Sequence, residues 1–207
     1  MENKIIQSAA MQIAYKLNQY ANKEGIEFTK MTIGVEILLI NISKLVIIYA
    51  LAMLLGTLWH TLVVHGAYLL LKRYSFGLHA LNSTVCTVVS CMLFVVLPWL
   101  LQGVSLGNLV VLLLFPLILL SLWLYAPADT AGRPLVGKNT RVKMKRNALV
   151  CGVILMVITL LVPIGYVKFL LILGAAYQAV SILPFTYKIL KRSGKNYEQY
   201  EKLKARS

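Results

Sequence analysis

Six long apolar runs govern what this chain can become: Ile33 to Gly56, Leu58 to Leu71, Val85 to Leu101, Leu109 to Tyr125, Ala148 to Ile164 and Phe169 to Leu190. Most approach the ~20 residues that carry an α-helix across a bilayer, and the second run is the short one. In hydrocarbon the backbone N–H and C=O groups must pair within their own segment, so runs of this length fold as helices. With 59% hydrophobic and 14% charged residues, the chain is too apolar for a soluble globular enzyme. The expected fold is all-α, a polytopic membrane helix bundle of about six spans in three hairpins. No internal repeat, low-complexity tract or linker divides residues 1–207, so one domain is expected: an amphipathic region over 1–30, the bundle over 31–190 and a basic tail over 191–207.

The connections between the runs differ in charge. The turns at Gly56–Thr57, Gln102 to Asn108 and Gly165 to Lys168 are nearly uncharged, with Lys168 the exception. The other connections carry Lys72 and Arg73, then Arg133, Lys138, Arg141, Lys143, Lys145 and Arg146, and finally Lys191, Arg192, Lys195, Lys202, Lys204 and Arg206. Cations concentrate on the cytoplasmic side of membrane proteins, which places both termini inside. If the short second run is re-entrant, the spans are fewer. The net charge of +14 is thus a matter of topology and not of nucleic acid, because the cations sit between apolar runs and not over a polar surface.

The first thirty residues lack the charged start, short apolar stretch and small-residue cleavage site of a signal peptide. Ile6, Ala9, Ala10, Ile13, Leu17 and Tyr20 recur at helical spacing, with Gln12, Lys16, Gln19 and Lys23 on the other side. This predicts an amphipathic helix, resting either on the membrane surface or against the protein's own cytoplasmic loops.

The stretch Lys72 to Cys91, KRYSFGLHALNSTVCTVVSC, is a polar interruption between two spans. His79 and Cys86 are seven residues apart. On one straight helix they would lie ~10 Å apart along the axis, too far for an imidazole to meet a thiol. Asn82, Ser83 and Thr84 are good N-cap residues and Gly77 frees the backbone upstream, so the pattern predicts a loop bearing His79 and a helix starting near Asn82 or Ser83. Cys86 then falls in the first helical turn, where unpaired N–H groups and the helix dipole favour a thiolate. A thiolate with a neighbouring imidazole can attack a peptide carbonyl and later protonate the leaving amine. The same residues also fit a plainer role, with Cys86 a small apolar filler and His79 a capped helix-end histidine. Spacing alone leaves both open.

Other ionisable groups suggest packing. Cys91 and Cys151 fit the filler role, and three cysteines in or beside apolar runs do not form a secreted disulfide framework. His60 and His65 belong to the second run, and His65 is expected to hydrogen-bond between helices. Glu36 is the acidic residue within a predicted span, with Asn41 and Lys44, and an ion pair to Arg73 or Lys30 would hold it in the bundle. HExxH, CxxC and GxxxxGK[ST] patterns are absent, so neither a zinc site nor a self-powered ATP-driven transporter is expected, and no cofactor is implied.

Arg73-Tyr-Ser-Phe-Gly77-Leu-His79-Ala80, with Cys86 seven residues past the histidine, resembles the accessory gene regulator B (AgrB) family of quorum-sensing peptide processors. Ala126-Pro127-Ala128-Asp129-Thr130 with Pro134 and the basic stretch beyond is similar to that family's loop after the corresponding helix. The likeness in length, hydropathy and basic loops covers nearly the whole chain. It implies a bacterial cell-membrane cysteine endopeptidase that cuts a cytosolic propeptide of the AgrD type, with Cys86 as nucleophile, His79 as acid and base, and Arg73 and Gly77 at supporting positions. The acyl-enzyme thioester would be intercepted by a thiol or hydroxyl of the same peptide, closing a thiolactone or lactone ring. Water must then be kept from the thioester.

The propeptides of such a family have an acidic C-terminal tail, and the cations Arg133 to Arg146 can steer and hold it. Those cations also suit topology and anionic lipid. Asp129 is a candidate to orient His79. A homodimer would suit a bundle of this size. Two other function classes compete: a non-catalytic peptide exporter or channel, and a purely structural membrane subunit.

Overall fold

The computed structural model describes residues 4–77, 83–129, 135, 137–190 and 197–198. Its elements are helices: α1 (Lys4–Ala21), α2 (Gly25–Leu54), α3 (Leu58–Ser75), α4 (Ser83–Cys91), a π-helical turn (Met92–Val96), α5 (Leu97–Leu100), α6 (Asn108–Tyr125), α7 (Lys138–Leu161), α8 (Gly165–Ser181) and α9 (Pro184–Ile189). Among the described residues no β-strand forms, and a single parallel bridge joins Phe76 to Ala128. All six apolar runs are helical, as expected. By length and apolarity α2, α6 and α7 suffice to cross a membrane; Thr84–Leu100 and Gly165–Ser181 are shorter apolar helices.

Several boundaries differ from the sequence expectation, each for a local reason. Gly165 opens α8, so the third uncharged turn is Val162 to Ile164 and Lys168 lies inside the helix. The sixth run is two helices, since Pro184 cannot continue the ladder and the chain breaks at Ile182–Leu183 before restarting with Pro184 at its first position. Lys138 to Arg146 form the first turns of α7 and not a loop.

α3 and α8 are the central pair, and a shared core forms on each side of them. One side buries Leu71 of α3, Phe115 and Leu122 of α6, Leu155 of α7 and Ala175 of α8. The other buries Ile48 and Ala52 of α2, Val64 of α3, Phe94 and Val95 of the π-helical turn and Leu170 of α8. Small residues allow this closeness: a Cβ on Gly174 would stand 2.3 Å from the Val64 carbonyl oxygen and 2.9 Å from the Ala67 Cβ. Lipid tails are as apolar as leucine, so tight packing of this kind replaces the hydrophobic drive between membrane helices.

The π-helical turn has an identifiable origin. Pro98 lacks the N–H that would bond the Phe94 carbonyl four residues earlier. Thr61 Oγ donates to that carbonyl instead at 2.9 Å, and Tyr177 OH donates to the Leu93 carbonyl at 2.9 Å. Neighbouring helices thus pair the backbone groups that a membrane helix cannot leave open.

α1 packs mainly on α2. Ala10 and Ala14 are fully buried, and the Tyr15 ring lies 5.1 Å from that of Phe28. Ile13, Leu17 and Tyr20 stay exposed, because small side chains let the two helices approach. α2 itself buries little beyond Ile48 and Ala52.

Candidate functional site

α3 and α6 end where α4 and α7 begin, and the two segments singled out by sequence meet there. Phe76 leaves α3 with φ 57° and Gly77 follows with φ 105°. Glycine tolerates this left-handed backbone; it is also the residue that fits, because a Cβ would stand 2.7 Å from Ser181 Oγ. The Gly77 N–H donates to the Ala128 carbonyl at 3.0 Å, and the Ala128 N–H donates to the Ser75 carbonyl at 2.9 Å. A cis peptide joins Ala126 to Pro127 beside this bridge.

Gln178 of α8 closes the junction from beneath. Its fully buried amide donates to Ser75 Oγ and to the Phe76 carbonyl, both at 2.7 Å. Ser75 Oγ in turn donates to the Leu71 carbonyl at 2.7 Å, and Ser181 Oγ donates to Gln178 Oε1 at 3.1 Å. Sequence reading missed Gln178. Its signal was an amide inside an otherwise apolar helix, where an unpaired polar group would be costly.

Asp129 is buried at the end of this loop. Its carbonyl accepts from Tyr187 OH at 3.0 Å and its carboxylate Oδ2 accepts from the Tyr197 N–H at 2.8 Å. The Arg141 guanidinium lies 3.9 Å from the Tyr197 ring centroid and donates to the Leu135 carbonyl at 3.0 Å. Residues from the loop after α6, the start of α7, α9 and the C-terminal segment therefore converge. Lys138, Arg141 and Lys145 recur at helical spacing on one face of α7, with Lys143 and Arg146 turned away from it. Arg133, Pro134, Asn82 and His79 lie outside the described residues, as do Lys191, Arg192, Lys195, Lys202, Lys204 and Arg206.

Cys86 occupies the first turn of α4, where the N-cap pattern placed it, and is partly accessible. Tyr68 and Lys72 of α3 are within electrostatic reach of its sulfur. The Lys72 ammonium donates to Tyr68 OH and lies 4.7 Å from the Tyr68 ring centroid. Arg73, one residue on, points elsewhere: it lies 5.8 Å from the Tyr74 ring centroid and is within electrostatic reach of Cys151 on α7. Cys91 and Cys151 each pack at the edge of a hydrophobic cluster.

The remaining ionisable groups act in packing. Tyr49 OH and His65 Nδ1 are 2.9 Å apart, the interhelical bond expected of His65. His60 stacks edge-on against Tyr166 with ring centroids at 5.1 Å. Glu36 does not form the expected bridge; among the described residues the ion pair is Lys23–Glu27 at 2.5 Å on the exposed start of α2. The described residues contain no group of three or more His, Cys, Asp or Glu able to hold a metal.

An all-helical bundle with three helices long and apolar enough to cross a membrane is consistent with a membrane protein. Its family is shown by comparison with known proteins. The chain belongs to the accessory gene regulator B family, whose model matches residues 10–182. It is similar to a putative AgrB-like protein of Listeria innocua, 45% identical over 180 residues and 87% of each chain. A putative AgrB-like protein of Clostridium acetobutylicum is 40% identical over 201 residues, 97% of this chain and 96% of the relative. The accessory gene regulator protein B of Staphylococcus intermedius is 36% identical over 180 residues, 87% of this chain and 95% of the relative. No solved structure gives a significant match.

Proposed function

We propose that the protein is a membrane cysteine endopeptidase that matures an AgrD-type propeptide at the cytoplasmic face of a bacterial membrane, with about six spans and both termini inside. Cys86 Sγ attacks the carbonyl carbon of the scissile amide, His79 protonates the departing nitrogen, and the C–N bond breaks to leave an acyl thioester on Cys86. A thiol or hydroxyl of the same peptide then attacks that thioester, releasing Cys86 and closing a thiolactone or lactone. His79 would take the proton of the incoming group. An acidic tail on the propeptide would dock on Arg133, Lys138, Arg141, Lys143, Lys145 and Arg146, with the departing fragment held near them.

The observation that carries this reading is the convergence at one end of the bundle. The Ser75–Gly77 arm is hydrogen-bonded to Ala128 two residues before His79, and Cys86 opens the next helix in partly accessible form. Gly77 fits as the supporting residue of that arm, and Asp129 as the residue fixing the loop beside it. Co-expression with the propeptide tests the reading. Cys86→Ala and His79→Ala each abolish cleavage while the protein still inserts; normal cutting by Cys86→Ala would sink it.

A second reading has its own support. Thr61, His65, Tyr68 and Lys72 form a polar row along one face of α3, packed against α2 and the π-helical turn, which a transport path would have to open. Export of an already mature peptide by the Cys86→Ala protein would favour it.

A further inference from the structure

We propose that Asp129 and Arg141 form a peptide subsite that reads an aromatic residue through its ring and its backbone N–H, and that the chain's own Tyr197 occupies it in this structure. The inference rests on the docking of the propeptide at this face and deepens it. Asp129 follows Ala128, whose carbonyl holds the Gly77 arm, and Arg141 lies in the first turn of α7.

Both groups are fixed from the protein side. Asp129 is buried, and its carbonyl accepts from the buried Tyr187 OH at 3.0 Å. The Arg141 guanidinium donates to the Leu135 carbonyl at 3.0 Å, which leaves its flat face for a ring. Tyr197 meets the two groups with two different parts. Its N–H donates to Asp129 Oδ2 at 2.8 Å, and its ring centroid lies 3.9 Å from the guanidinium carbon of Arg141. The first contact is open to any residue except proline; the second needs an aromatic side chain.

The occupant has the character of a ligand for this face. Tyr197 is partly buried and Glu198 beside it is exposed. The stretch from 195 to 201, Lys-Asn-Tyr-Glu-Gln-Tyr-Glu, interleaves aromatic and acidic residues. Arg141 stands between Lys138 and Lys145 on the cationic face of α7, so an acidic peptide laid along that face meets Tyr197 at its middle. A segment tethered to its own binding face competes with a free peptide without any new contact being needed. Asp129 also limits what can take its place. When Tyr197 leaves, a buried carboxylate loses a donor, which a peptide N–H restores and a plain polyanion does not.

Fluorescence anisotropy with the full-length protein in detergent tests this, the probe being a labelled synthetic peptide with the sequence of residues 195–201. Tyr197→Ala raises probe affinity about fivefold, because the internal competitor has lost its ring, whereas Tyr197→Phe binds the probe as the wild type does. Adding Arg141→Gln to Tyr197→Ala cancels the gain, as does alanine in place of the probe's first tyrosine. Tripolyphosphate at matched ionic strength leaves the probe bound. If Tyr197→Ala is not recovered folded, Tyr197→Leu, which keeps apolar volume without the ring, decides by the same comparison. An unchanged or lowered probe affinity in the folded Tyr197 variant overturns the subsite and makes Tyr197 a strap on the Asp129 loop, and displacement of the probe by tripolyphosphate overturns it as well. Binding involves no cleavage, so the gain in a protein that cuts no propeptide would uphold the subsite and reject the peptidase; cleavage by a protein whose Tyr197 variant shows no gain would do the reverse.

Discussion

The two segments that flank residues 78–82 are held in opposite ways. On the α3 side, Ser75, Phe76 and Gly77 are bonded to Ala128 and to the buried amide of Gln178, and a Cβ on Gly77 has no room. On the α4 side, Cys86 sits on a nine-residue helix that rests mainly on α2, is partly accessible, and has Val85, Val88 and Val89 exposed around it. A saturated hydrogen-bond frame fixes geometry, while an accessible helix start offers a reactive atom. A nucleophile that must receive a peptide benefits from the second arrangement, and the loop that serves it from the first.

Separating stability from activity tests that difference most directly. Gly77→Ala forces φ 105° on a residue with a side chain and drives its Cβ to 2.7 Å from Ser181 Oγ. A loss on the order of 3 kcal/mol is expected, together with loss of propeptide cleavage. Cys86→Ala should lose cleavage just as fully yet melt as the wild type does, because its side chain is partly accessible and packs in neither core. Thermal unfolding in detergent beside a cleavage assay checks both. If Cys86→Ala melts lower than Gly77→Ala, the frame and the reactive end have been assigned the wrong way round.

Gln178→Leu sharpens the comparison from the frame side. It leaves the part-buried Phe76 carbonyl without the amide donor and the buried Ser75 Oγ without its incoming bond. An unsatisfied buried group of this kind costs about 1–3 kcal/mol. Cleavage should fall through turnover more than through propeptide affinity, since the change disturbs the arm and not the cationic face. An affinity loss with unchanged turnover would place Gln178 in substrate binding instead.

The cationic face of α7 provides the converse. Replacing Lys138, Arg141 and Lys145 together by Gln should weaken propeptide binding by roughly tenfold at low salt, and the difference should shrink as ionic strength rises and the charges are screened. Turnover at saturating propeptide should barely change. Arg141 also supports Tyr197 and the Leu135 carbonyl, so Lys138→Gln with Lys145→Gln isolates the purely electrostatic part.

The legible part of this molecule follows from the period of its apolar runs. Helix was forced wherever those runs lay, and the N-cap cluster Asn82-Ser83-Thr84 located the start of α4 and with it Cys86. The break before Pro184 was legible too, in hindsight, because proline rarely continues a helix. Pairings across the bundle were not. Nothing local in the sequence says that Gln178 lies under Phe76, 102 residues away. Glu36 misled for a related reason: a charge in an apolar run asks for a partner, but the run does not say how far α2 extends beside α1 before meeting the bundle.

The smallest effect worth measuring lies farthest from the cysteine. Pro98 has no N–H to donate to the Phe94 carbonyl four residues earlier, and Thr61 of α3 donates to it at 2.9 Å. Thr61→Val keeps the volume and removes that donor. Interhelical side-chain bonds in membranes average about 0.6 kcal/mol, because the separated helices also find partners, so a shift of that size in unfolding is expected. Cleavage should remain within about twofold, since the frame at Ser75–Gly77 lies at the opposite end of α3 and the shared core between them is unchanged. A larger loss of cleavage than of stability would mean that the π-helical turn governs the aim of α4, and the reactive side of the comparison would then extend as far as Pro98. Equal small losses would confine it to the first turn around Cys86.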